Sequence, residues 1–570
     1  MTEHLTYEQA VAELIREDGG ELPIVKRMIR GVPHFVFRDL SENLHEYYKT
    51  GVEQFGDRDF IVYDSVRLTY REAYEQAAVI ADQLVNRFDI KKGDRVAIGM
   101  RNYPQWITAF LAITSIGAIS VSLNAWWTGE ELEYGLREVG PRLVILDRQR
   151  WERLAGRLEP LGIRAVGARW EGALPHGITA MDDLLRDGAG KPMPEVAMEA
   201  DDDATILFTS GTTGFPKGAV GTHRGILSTM ASWAYFFRVR QLMGIIPTPD
   251  SAEEPEFQPS ILVPLPLFHV TGCHAGFLAS FMTGRKIVMM YKWNAEDALR
   301  LIEEERITVF NGVPTMTWEI VESPDLTRRD LRSLTLLSGG GAPLPGGIVD
   351  RLRERLPGKQ FALGWGMTET NAGGLNIAKE DLVERPTSCG RACPICEIKI
   401  VDNDRREVPT GEDGELVVRS PMNIRCYWNH PEATAETIVD GWLHTGDIAR
   451  VDDDGFVYIV DRKKDMVLRG GENIYCAEVE RIIYQHDAVY EAAVFGLPDE
   501  RLGEELAAVV MPKPGRTISQ EELCDHIAKH LAAFKVPTVI LFRDEQLPRG
   551  TTDKIHKRTL REQVMKELGK

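Results

Sequence analysis

Amphipathic segments alternate with short apolar runs through most of the chain. Residues 67–88 place apolar side chains at helical spacing, and the apolar run 94–100 follows them. Residues 296–307 repeat the helical spacing and precede a second apolar run at 308–314. Strands that alternate with helices form βαβ units. The pattern therefore predicts an α/β fold whose large domain contains largely parallel sheets.

The stretch from Trp106 to Trp127 carries no charged side chain and has the length of a membrane span. Polar and small residues interrupt it, among them Thr108, Ser115 and Gly117. Such interruptions are typical of a buried helix that runs through a glycine turn into a buried strand. We therefore predict that the chain has no transmembrane segment.

The pattern changes after Glu412. Residues 414–420 read as one strand. Residues 448–462 read as two strands, which the turn dipeptide Asp454-Gly455 would join as a hairpin. We predict a β-rich subdomain at about residues 395–460 that closes a large N-terminal domain of residues 1–462.

A second alternation begins near residue 463. A chain of 570 residues exceeds the size at which single cores stop growing, so a second domain is expected. We predict a small α+β domain at residues 463–570, reached through the charged cluster Asp461–Asp465. Its predicted helices are residues 477–487 and 521–534. Its predicted strands are residues 489–498 and 505–515.

The segment from Arg238 to Ser260 differs from its surroundings because it contains four prolines and four acidic residues. It has no apolar periodicity that would pack against a core. It therefore reads as an exposed loop insertion.

The formal net charge of -19 at pH 7 repels polyanions, so nucleic acid is not an expected partner. The N-terminal segment lacks the basic and apolar regions of a signal peptide. We expect a cytoplasmic enzyme, a monomer or homodimer, that acts on small molecules.

Three of the seven cysteines, Cys389, Cys393 and Cys396, have the spacing C-x3-C-x2-C. Radical enzymes that use S-adenosylmethionine offer this spacing to an iron–sulfur cluster, which makes such an enzyme a remote alternative. Small residues surround the segment, so the simpler interpretation is that the three thiols fill small or partly buried positions.

The strongest chemical motif runs from Leu207 to Gly218, where an apolar strand leads into a loop rich in glycine, hydroxyls and one lysine. Backbone N–H groups, hydroxyls and an ammonium can together bind phosphate oxygens. It is not a Walker A loop, because Pro216 precedes Lys217 and Gly218 follows it. The candidate phosphate-binding residues are Thr209, Ser210, Gly211, Thr212, Thr213, Gly214 and Lys217.

This loop, TSGTTGFPKG, resembles the signature of the adenylate-forming (ANL) superfamily, which includes acyl-CoA synthetases, peptide-synthetase adenylation domains and firefly luciferase. The resemblance extends over about residues 40–565 and implies a large N-terminal domain and a small mobile C-terminal domain. Further segments match in order and spacing: Leu265–His269, Gly339–Pro343, Gly364–Glu369, Gly441–Asp447, Asp461–Asn473 and Leu547–Lys554.

The resemblance implies ATP, Mg2+ and coenzyme A as ligands. Thr368 would contact the α-phosphate, and Glu369, with Thr209, would hold magnesium, which prefers oxygen ligands. Trp365 stands where the family usually has tyrosine and would stack on the adenine. Asp447 and Arg462 would bind the ribose. The remaining implied nucleotide contacts are Gly340, Gly341, Ala342, Pro343, Gly364, Gly366, Met367 and Ile459.

Lys554 resembles the family lysine that bridges the attacking carboxylate and the α-phosphate, a role in which an ammonium offsets the repulsion of two anions. Asp553 stands where the family has glycine. Lys464 matches the hinge about which the small domain rotates. That rotation would bring in the CoA-binding segment Arg469, Gly470, Gly471 and Glu472.

The resemblance also implies an acyl pocket and a reaction. His269 matches a residue that gates the pocket and joins Lys554, Thr368 and Glu369 as a candidate catalytic residue. The implied enzyme is an acyl-CoA synthetase for a medium- or long-chain fatty acid, with an aryl acid CoA ligase or a carrier-protein-loading enzyme as alternatives. No carrier domain is present within the 570 residues, which favours free CoA. The pocket candidates are Trp233, His269, Val313, Gly341 and Gly366.

Overall fold

The structure, a computed structural model, describes residues 5–209, 216–246, 256–340, 348–469, 472–499, 501–550 and 554–569. Several candidate site residues lie outside these ranges, so their predicted roles stay predictions. They are Ser210, Gly211, Thr212, Thr213, Gly214, Gly341, Ala342, Pro343, Gly470 and Gly471, together with Asp553.

The strands of the described residues are numbered in chain order. They are β1 (Ile24–Ile29), β2 (Val32–Phe37), β3 (Asp59–Tyr63), β4 (Val66–Thr69), β5 (Arg95–Gly99), β6 (Ile119–Ser122), β7 (Leu143–Asp147), β8 (Arg164–Ala168), β9 (Ile178–Ala180), β10 (Asp203–Thr209), β11 (Lys217–Thr222), β12 (Ser260–Val263), β13 (Lys286–Met289), β14 (Val309–Gly312), β15 (Leu336–Gly340), β16 (Gln360–Trp365), β17 (Leu375–Ala378), β18 (Arg391–Ala392), β19 (Glu397–Val401), β20 (Gly414–Arg419), β21 (Cys426–Tyr427), β22 (Ile438–Val439), β23 (Trp442–Val451), β24 (Val457–Arg462), β25 (Val467–Arg469), β26 (Glu472–Ile474), β27 (Val489–Asp499), β28 (Gly503–Pro512) and β29 (Val539–Phe542).

The helices are numbered in the same way. They are α1 (Tyr7–Ile15), α2 (Leu44–Phe55), α3 (Tyr70–Asn86), α4 (Pro104–Ser115), α5 (Gly129–Val139), α6 (Arg148–Leu154), α7 (Met181–Asp187), α8 (His223–Leu242), α9 (Ala295–Glu304), α10 (Pro314–Glu322), α11 (Ile348–Arg355), α12 (Lys379–Glu384), α13 (Pro431–Thr437), α14 (Cys476–Tyr484), α15 (Gln520–Ala528) and α16 (Lys557–Glu567).

Two large, mostly parallel sheets form the N-terminal part of the protein. Among the described residues one has the order β21-β11-β10-β6-β5-β7-β8-β9 and the other the order β18-β17-β16-β15-β14-β12-β13-β3-β4. Helices α2, α3, α4 and α8 contribute to the main core, in which Tyr48, Phe60, Trp106 and Phe277 are fully buried. This confirms the predicted α/β fold.

The stretch from Trp106 to Trp127 folds as the sequence predicts. Helix α4 ends at Ser115, Gly117 takes a left-handed φ of 67°, and β6 begins at Ile119. Every residue of α4 from Trp106 to Ser115 is buried. Among the described residues, none of the helices combines the length and the apolar content that crossing a bilayer requires.

The β-rich subdomain consists of β19, β20, β22, β23 and β24, which pair antiparallel. Strands β23 and β24 form the predicted hairpin, and Gly455 in its turn has φ 79°. After it the chain forms a separate sheet of β25–β29 with α14, α15 and α16. The prediction of a smaller α+β C-terminal domain is confirmed.

The predicted loop insertion at Arg238–Ser260 is wrong at its start. Helix α8 continues through Leu242, because Val239 and Leu242 keep the helical spacing and pack into a core with Tyr235. The prolines begin only after the helix has ended. Residues 247–255 lie outside the described residues.

Candidate active site

Strands β15 and β16 end side by side and carry two of the matched motifs. Gly340 stands directly opposite Gly364 in parallel register. A Cβ at Gly340 would lie 2.6 Å from the Gly364 carbonyl oxygen, so this close approach requires glycine. Ligands of parallel sheets bind at the carboxyl ends of strands, which is where both motifs lie.

The chain after β16 makes a tight turn at Thr368–Thr370. Asn371 and Ala372 follow with φ values of 51° and 66°, a left-handed conformation that is uncommon for residues other than glycine. Two contacts hold it: His274 Nδ1–H donates to the Asn371 carbonyl over 3.1 Å, and Asn371 Nδ2 donates to the Met422 carbonyl over 2.7 Å. Strained backbone fixed in this way is a feature of functional sites.

The turn places Glu369 in a buried position, 7% exposed. Tyr427 donates its hydroxyl to Glu369 Oε1 over 2.7 Å, and burial raises the pKa of the carboxyl despite this bond. Tyr427 lies on β21, which pairs with β11. Lys217 Nζ, at the start of β11, is 5.4 Å from the centre of the Tyr427 ring. Glu369 thus lies beside the exit strand of the phosphate loop.

Tyr427 had no signal in the sequence that set it apart from other aromatic residues. Tyr427 lies 58 residues after Glu369 in the sequence, and its distance along the sequence from Lys217 is larger still. Only the pairing of β21 with β11 brings the three side chains together.

Glu369 and Thr209 fit the predicted magnesium site in their chemistry. Thr209 ends β10 and stands directly opposite Lys217, to whose carbonyl its hydroxyl donates over 3.5 Å. The buried carboxylate of Glu369 and the hydroxyl of Thr209 are oxygen ligands of the kind that Mg2+ prefers. When bound with ATP, the ion would neutralise phosphate charge at this place.

The two predicted ribose ligands face each other across a hairpin. Asp447 of β23 is the direct register partner of Arg462 of β24, and Arg462 Nε is 3.4 Å from Asp447 Oδ1. Trp365 Nε1–H donates to the other carboxylate oxygen, Oδ2, over 2.8 Å. The predicted adenine-stacking residue is therefore bonded to the predicted ribose ligand. Ile459 packs in the same apolar cluster as Trp365.

The three cysteines do not fit the iron–sulfur alternative. Ile459 donates its backbone N–H to the Cys389 sulfur, whereas Cys393 and Cys396 contact each other. The part of the chain that the structure describes contains no group of three histidine, cysteine, aspartate or glutamate side chains able to hold a metal ion. Burial raises the pKa of the Cys389 thiol to about 12. The segment serves packing, as the simpler interpretation predicted.

Lys554 joins the ribose pair from the small domain. Burial lowers the pKa of its ammonium to about 8, and the positive charges of Arg462 and Lys464 add to this effect, while Asp447 opposes it. Lys464, the predicted hinge, is exposed and interacts electrostatically with Arg462, Asp447 and Glu369. Two domains thus contribute cations to one site.

A short loop carries Lys554. Its two sides meet in a bridge between Arg549 and Ile555, and Gly550 N–H donates to the Lys554 carbonyl over 2.7 Å. Glu491 of β27, only 3% exposed, accepts from Leu547 N–H over 2.9 Å and forms an ion pair with Arg549. The buried carboxylate therefore anchors the base of the Lys554 loop. No motif in the sequence pointed to Glu491.

His269 lies beside Lys554. Burial lowers the pKa of the imidazole to about 4, with a further contribution from the Lys554 ammonium, so the ring is neutral at pH 7. His269 precedes a π-helical turn at Thr271–Phe277, a structure frequent at functional sites. The other pocket candidates lie on separate elements: Trp233 half-buried on α8, Val313 buried before α10, and Gly366 after β16.

The candidate CoA segment lies apart from this cluster. Arg469 ends β25, and its guanidinium donates to the Phe534 carbonyl over 2.7 Å, within the small domain. Glu472 pairs with Arg469 through backbone across the β25–β26 hairpin. In the described residues Lys554 interacts electrostatically with Asp447 and Arg462, whereas Arg469 bonds within the small domain.

Comparisons with known proteins identify the family of this chain. The family model described as AMP-binding enzyme matches residues 48–428, and the model for the AMP-binding enzyme C-terminal domain matches residues 478–554. The chain is 33% identical over 501 residues to long-chain-fatty-acid–CoA ligase FadD13 of Mycobacterium tuberculosis, covering 87% of this chain and 93% of that protein. It is 34% identical over 494 residues to feruloyl-CoA synthase of an Amycolatopsis species, with the same coverage, 87% and 93%.

Among solved structures, the anthranilate CoA ligase AuaEII in complex with anthranoyl-AMP superposes with a TM-score of 0.83 at 25% identity, over 94% of this chain and 99% of that chain. The resemblance read from the motifs is thereby confirmed, and with it the binding of ATP and AMP. We conclude that this chain belongs to the AMP-binding enzyme family, in the acyl-CoA synthetase branch of the adenylate-forming superfamily, and is an AMP-forming acid–thiol ligase.

Proposed function

We propose that the enzyme converts a medium- or long-chain carboxylic acid to its acyl-CoA in two steps. The observation that carries this proposal is the electrostatic interaction of the buried Lys554 ammonium with His269, Arg462 and Asp447. In the first step a carboxylate oxygen attacks the α-phosphorus of ATP, the bond to the bridging oxygen breaks, and pyrophosphate leaves. The Lys554 ammonium offsets the repulsion between the two anions, and Thr368 contacts the α-phosphate.

In the second step the CoA sulfur attacks the acyl carbonyl, the carbonyl–oxygen bond to AMP breaks, and the thiol proton passes to solvent. The small domain rotates about Lys464, so that Lys554 leaves and the segment from Arg469 to Glu472 enters. The hydrogen bond of Arg469 to the Phe534 carbonyl within the small domain supports a rearrangement between steps.

The proposal is tested by separating the steps. Acid-dependent ATP–pyrophosphate exchange without CoA reports the first, and AMP release with CoA reports both. A size series at Gly471, Gly471→Ala and Gly471→Leu, should leave exchange intact and lower thioester formation progressively, because a side chain fills the pantetheine route. Thioester formation that is unaffected by Gly471→Leu contradicts the proposed route.

The acid class has two supported candidates. The 33% identity to a protein named as a long-chain-fatty-acid–CoA ligase favours fatty acids, and the 34% identity to one named feruloyl-CoA synthase favours aryl acids. A panel of aliphatic and aryl acids in the exchange assay decides between them. Offering a phosphopantetheinylated carrier protein against free CoA tests the carrier-loading alternative.

A further inference from the structure

Asp461 is a buried carboxylate to which the proposed mechanism gives no role. It is the last residue but one of β24 and is only 5% exposed. Consecutive side chains of a strand point to opposite faces of the sheet, so Asp461 faces away from the predicted ribose ligand Arg462. A buried charge is costly unless polar partners satisfy it. The partners of Asp461 therefore indicate what the carboxylate does.

One partner is the first turn of a helix in the other domain. Asp461 Oδ2 accepts from the N–H of Ala477 over 3.3 Å, and Oδ1 accepts from the N–H of Arg462 over 2.7 Å. Ala477 is the second residue of α14, where backbone N–H groups have no partner within the helix. Tyr475, at the N-cap position, makes no side-chain capping bond among the described residues. A carboxylate of the large domain thus caps a helix of the small domain.

The other partner is the ammonium of Lys557, the first residue of α16. Lys557 Nζ is 2.7 Å from Glu480 Oε1 of α14. Burial acts to lower the pKa of this ammonium, but Glu480, the Cys476 thiol and Asp461 raise the pKa above its ordinary value. Burial raises the pKa of the Asp461 carboxyl to about 6, and the charge of Lys557 is the largest effect that opposes this rise. Asp461 and Lys557 therefore attract each other across the domain boundary.

Both contacts of Asp461 bear on the position of Lys554, because Lys557 is only three residues further along the chain. The other side of the Lys554 loop is held by Glu491. Glu491 lies on β27 and so belongs to the same domain as the loop. Asp461, on β24, belongs to the large domain. Its contacts therefore determine where the loop lies relative to the large domain, whereas those of Glu491 determine the conformation of the loop.

We propose that Asp461 is a positioning residue for adenylation: by capping α14 and attracting Lys557, it holds the small domain in the arrangement that places Lys554 at the nucleotide site. This role rests on the proposed function, because the proposed hinge Lys464 separates Asp461 from Ala477 in the chain. Rotation about Lys464 breaks both contacts and leaves α14 without its cap. Asp461 thus stabilises one of two arrangements and shifts their populations toward adenylation.

Rapid-quench measurement of each half-reaction tests this role in the full-length enzyme, with the acid that gives the fastest exchange. Loss of the cap and of the attracting charge should lower the adenylation rate about tenfold in Asp461→Ala. Asp461→Asn keeps an acceptor oxygen and should lower it about threefold. KM for ATP should stay unchanged, and thioester formation from preformed adenylate should keep its rate or increase. Equal loss in both steps, or an unchanged adenylation rate in Asp461→Ala, would overturn the role.

The matched control is Asp452→Asn in the same hairpin. Asp452 also accepts from two backbone N–H groups, those of Asp454 over 3.1 Å and Phe456 over 2.8 Å. These bonds stay within the large domain, so the substitution should change neither half-reaction.

A double substitution separates a role through Lys554 from a general loss of stability. Because Asp461 acts through Lys554, Asp461→Ala should lower adenylation by less than about twofold when it is added to Lys554→Ala. A further tenfold loss in that background would overturn the positioning role. If Lys554→Ala by itself leaves adenylation unchanged, or if no acid supports exchange in the wild type, the proposed function itself fails and this inference with it.

Discussion

The two halves of the active site are built in different ways. The half contributed by the large domain lies on paired strands: Asp447 faces Arg462 across β23 and β24, and Glu369 is bonded to Tyr427 next to β11. From the part of the small domain that the structure describes, the other half receives Lys554, which follows a segment anchored by Glu491, and the exposed Lys464. Strand register fixes the first half, whereas the second depends on how the small domain is placed.

This difference predicts a division of function. In the proposed mechanism the residues on the strands hold the nucleotide, which is present in both half-reactions, so changing them should affect both. The same mechanism uses Lys554 in one half-reaction, so changing it or its anchor should affect that step alone. Substitutions at Lys554, Glu491 and Trp365 test this division of function.

The largest effect is expected for Lys554→Ala. The substitution removes the cation that stabilises charge at the α-phosphorus, and we expect acyl-adenylate formation to fall by about 1000-fold. Thioester formation from preformed adenylate should stay within a factor of about three, since the proposed rotation withdraws Lys554 from the site before that step. Rapid-quench measurement of each half-reaction gives both values. Equal loss in both steps would contradict the division.

The pH dependence follows from the pKa of Lys554, which burial lowers to about 8. The ammonium carries its charge below this value and loses it above, so kcat/KM for ATP in the first half-reaction should fall about tenfold per unit as pH rises past 8. Lys554→Arg should abolish this fall, because a guanidinium stays charged, although its plateau will be lower. An identical pH profile in Lys554→Arg would assign the ionisation to another group.

The anchor of the loop gives a smaller effect. Glu491→Gln keeps an acceptor for Leu547 N–H but loses the charge that pairs with Arg549, so Lys554 should be less well placed. We expect the adenylation kcat to fall by about tenfold while KM for ATP and the thioester step are unchanged. The control is Glu567→Gln, which removes the exposed partner of Arg543 in the same domain. A raised KM for ATP would mean that Glu491 acts through the nucleotide site.

Part of this site could be predicted from the sequence. The turn at Asp454-Gly455 predicts the hairpin that carries Asp447 and Arg462, although a β-bulge between Ile448 and Ala449 sets their final register, and the motif spacing pointed to Glu369 and Lys554. Tyr427 and Glu491 could not be found in this way, because each reaches its partner through strand pairing or packing between distant segments. The sequence pattern predicts the end of helix α8 too early, because the prolines that follow Leu242 indicate a loop.

We expect the smallest effect for Trp365→Phe, which tests the half of the site that lies on paired strands. Trp365→Phe keeps an aromatic face for the adenine but removes the indole N–H that donates to Asp447 Oδ2. A hydrogen bond to a charged group contributes about 1.5–3 kcal/mol, so we expect KM for ATP to rise about tenfold in adenylation. Asp447 still binds ATP in this variant, so kcat for adenylation should change little.

Trp365→Phe also distinguishes a role of the indole N–H from a role of the aromatic ring alone. Because AMP remains bound through the second step, release of acyl-adenylate should accelerate by a similar factor of about ten, unlike any Lys554 variant. Trp365→Ala provides the comparison, since it removes ring and N–H together. If Trp365→Phe behaves as wild type and only Trp365→Ala raises KM, the ring alone matters and the bond to Asp447 does not position the ribose carboxylate.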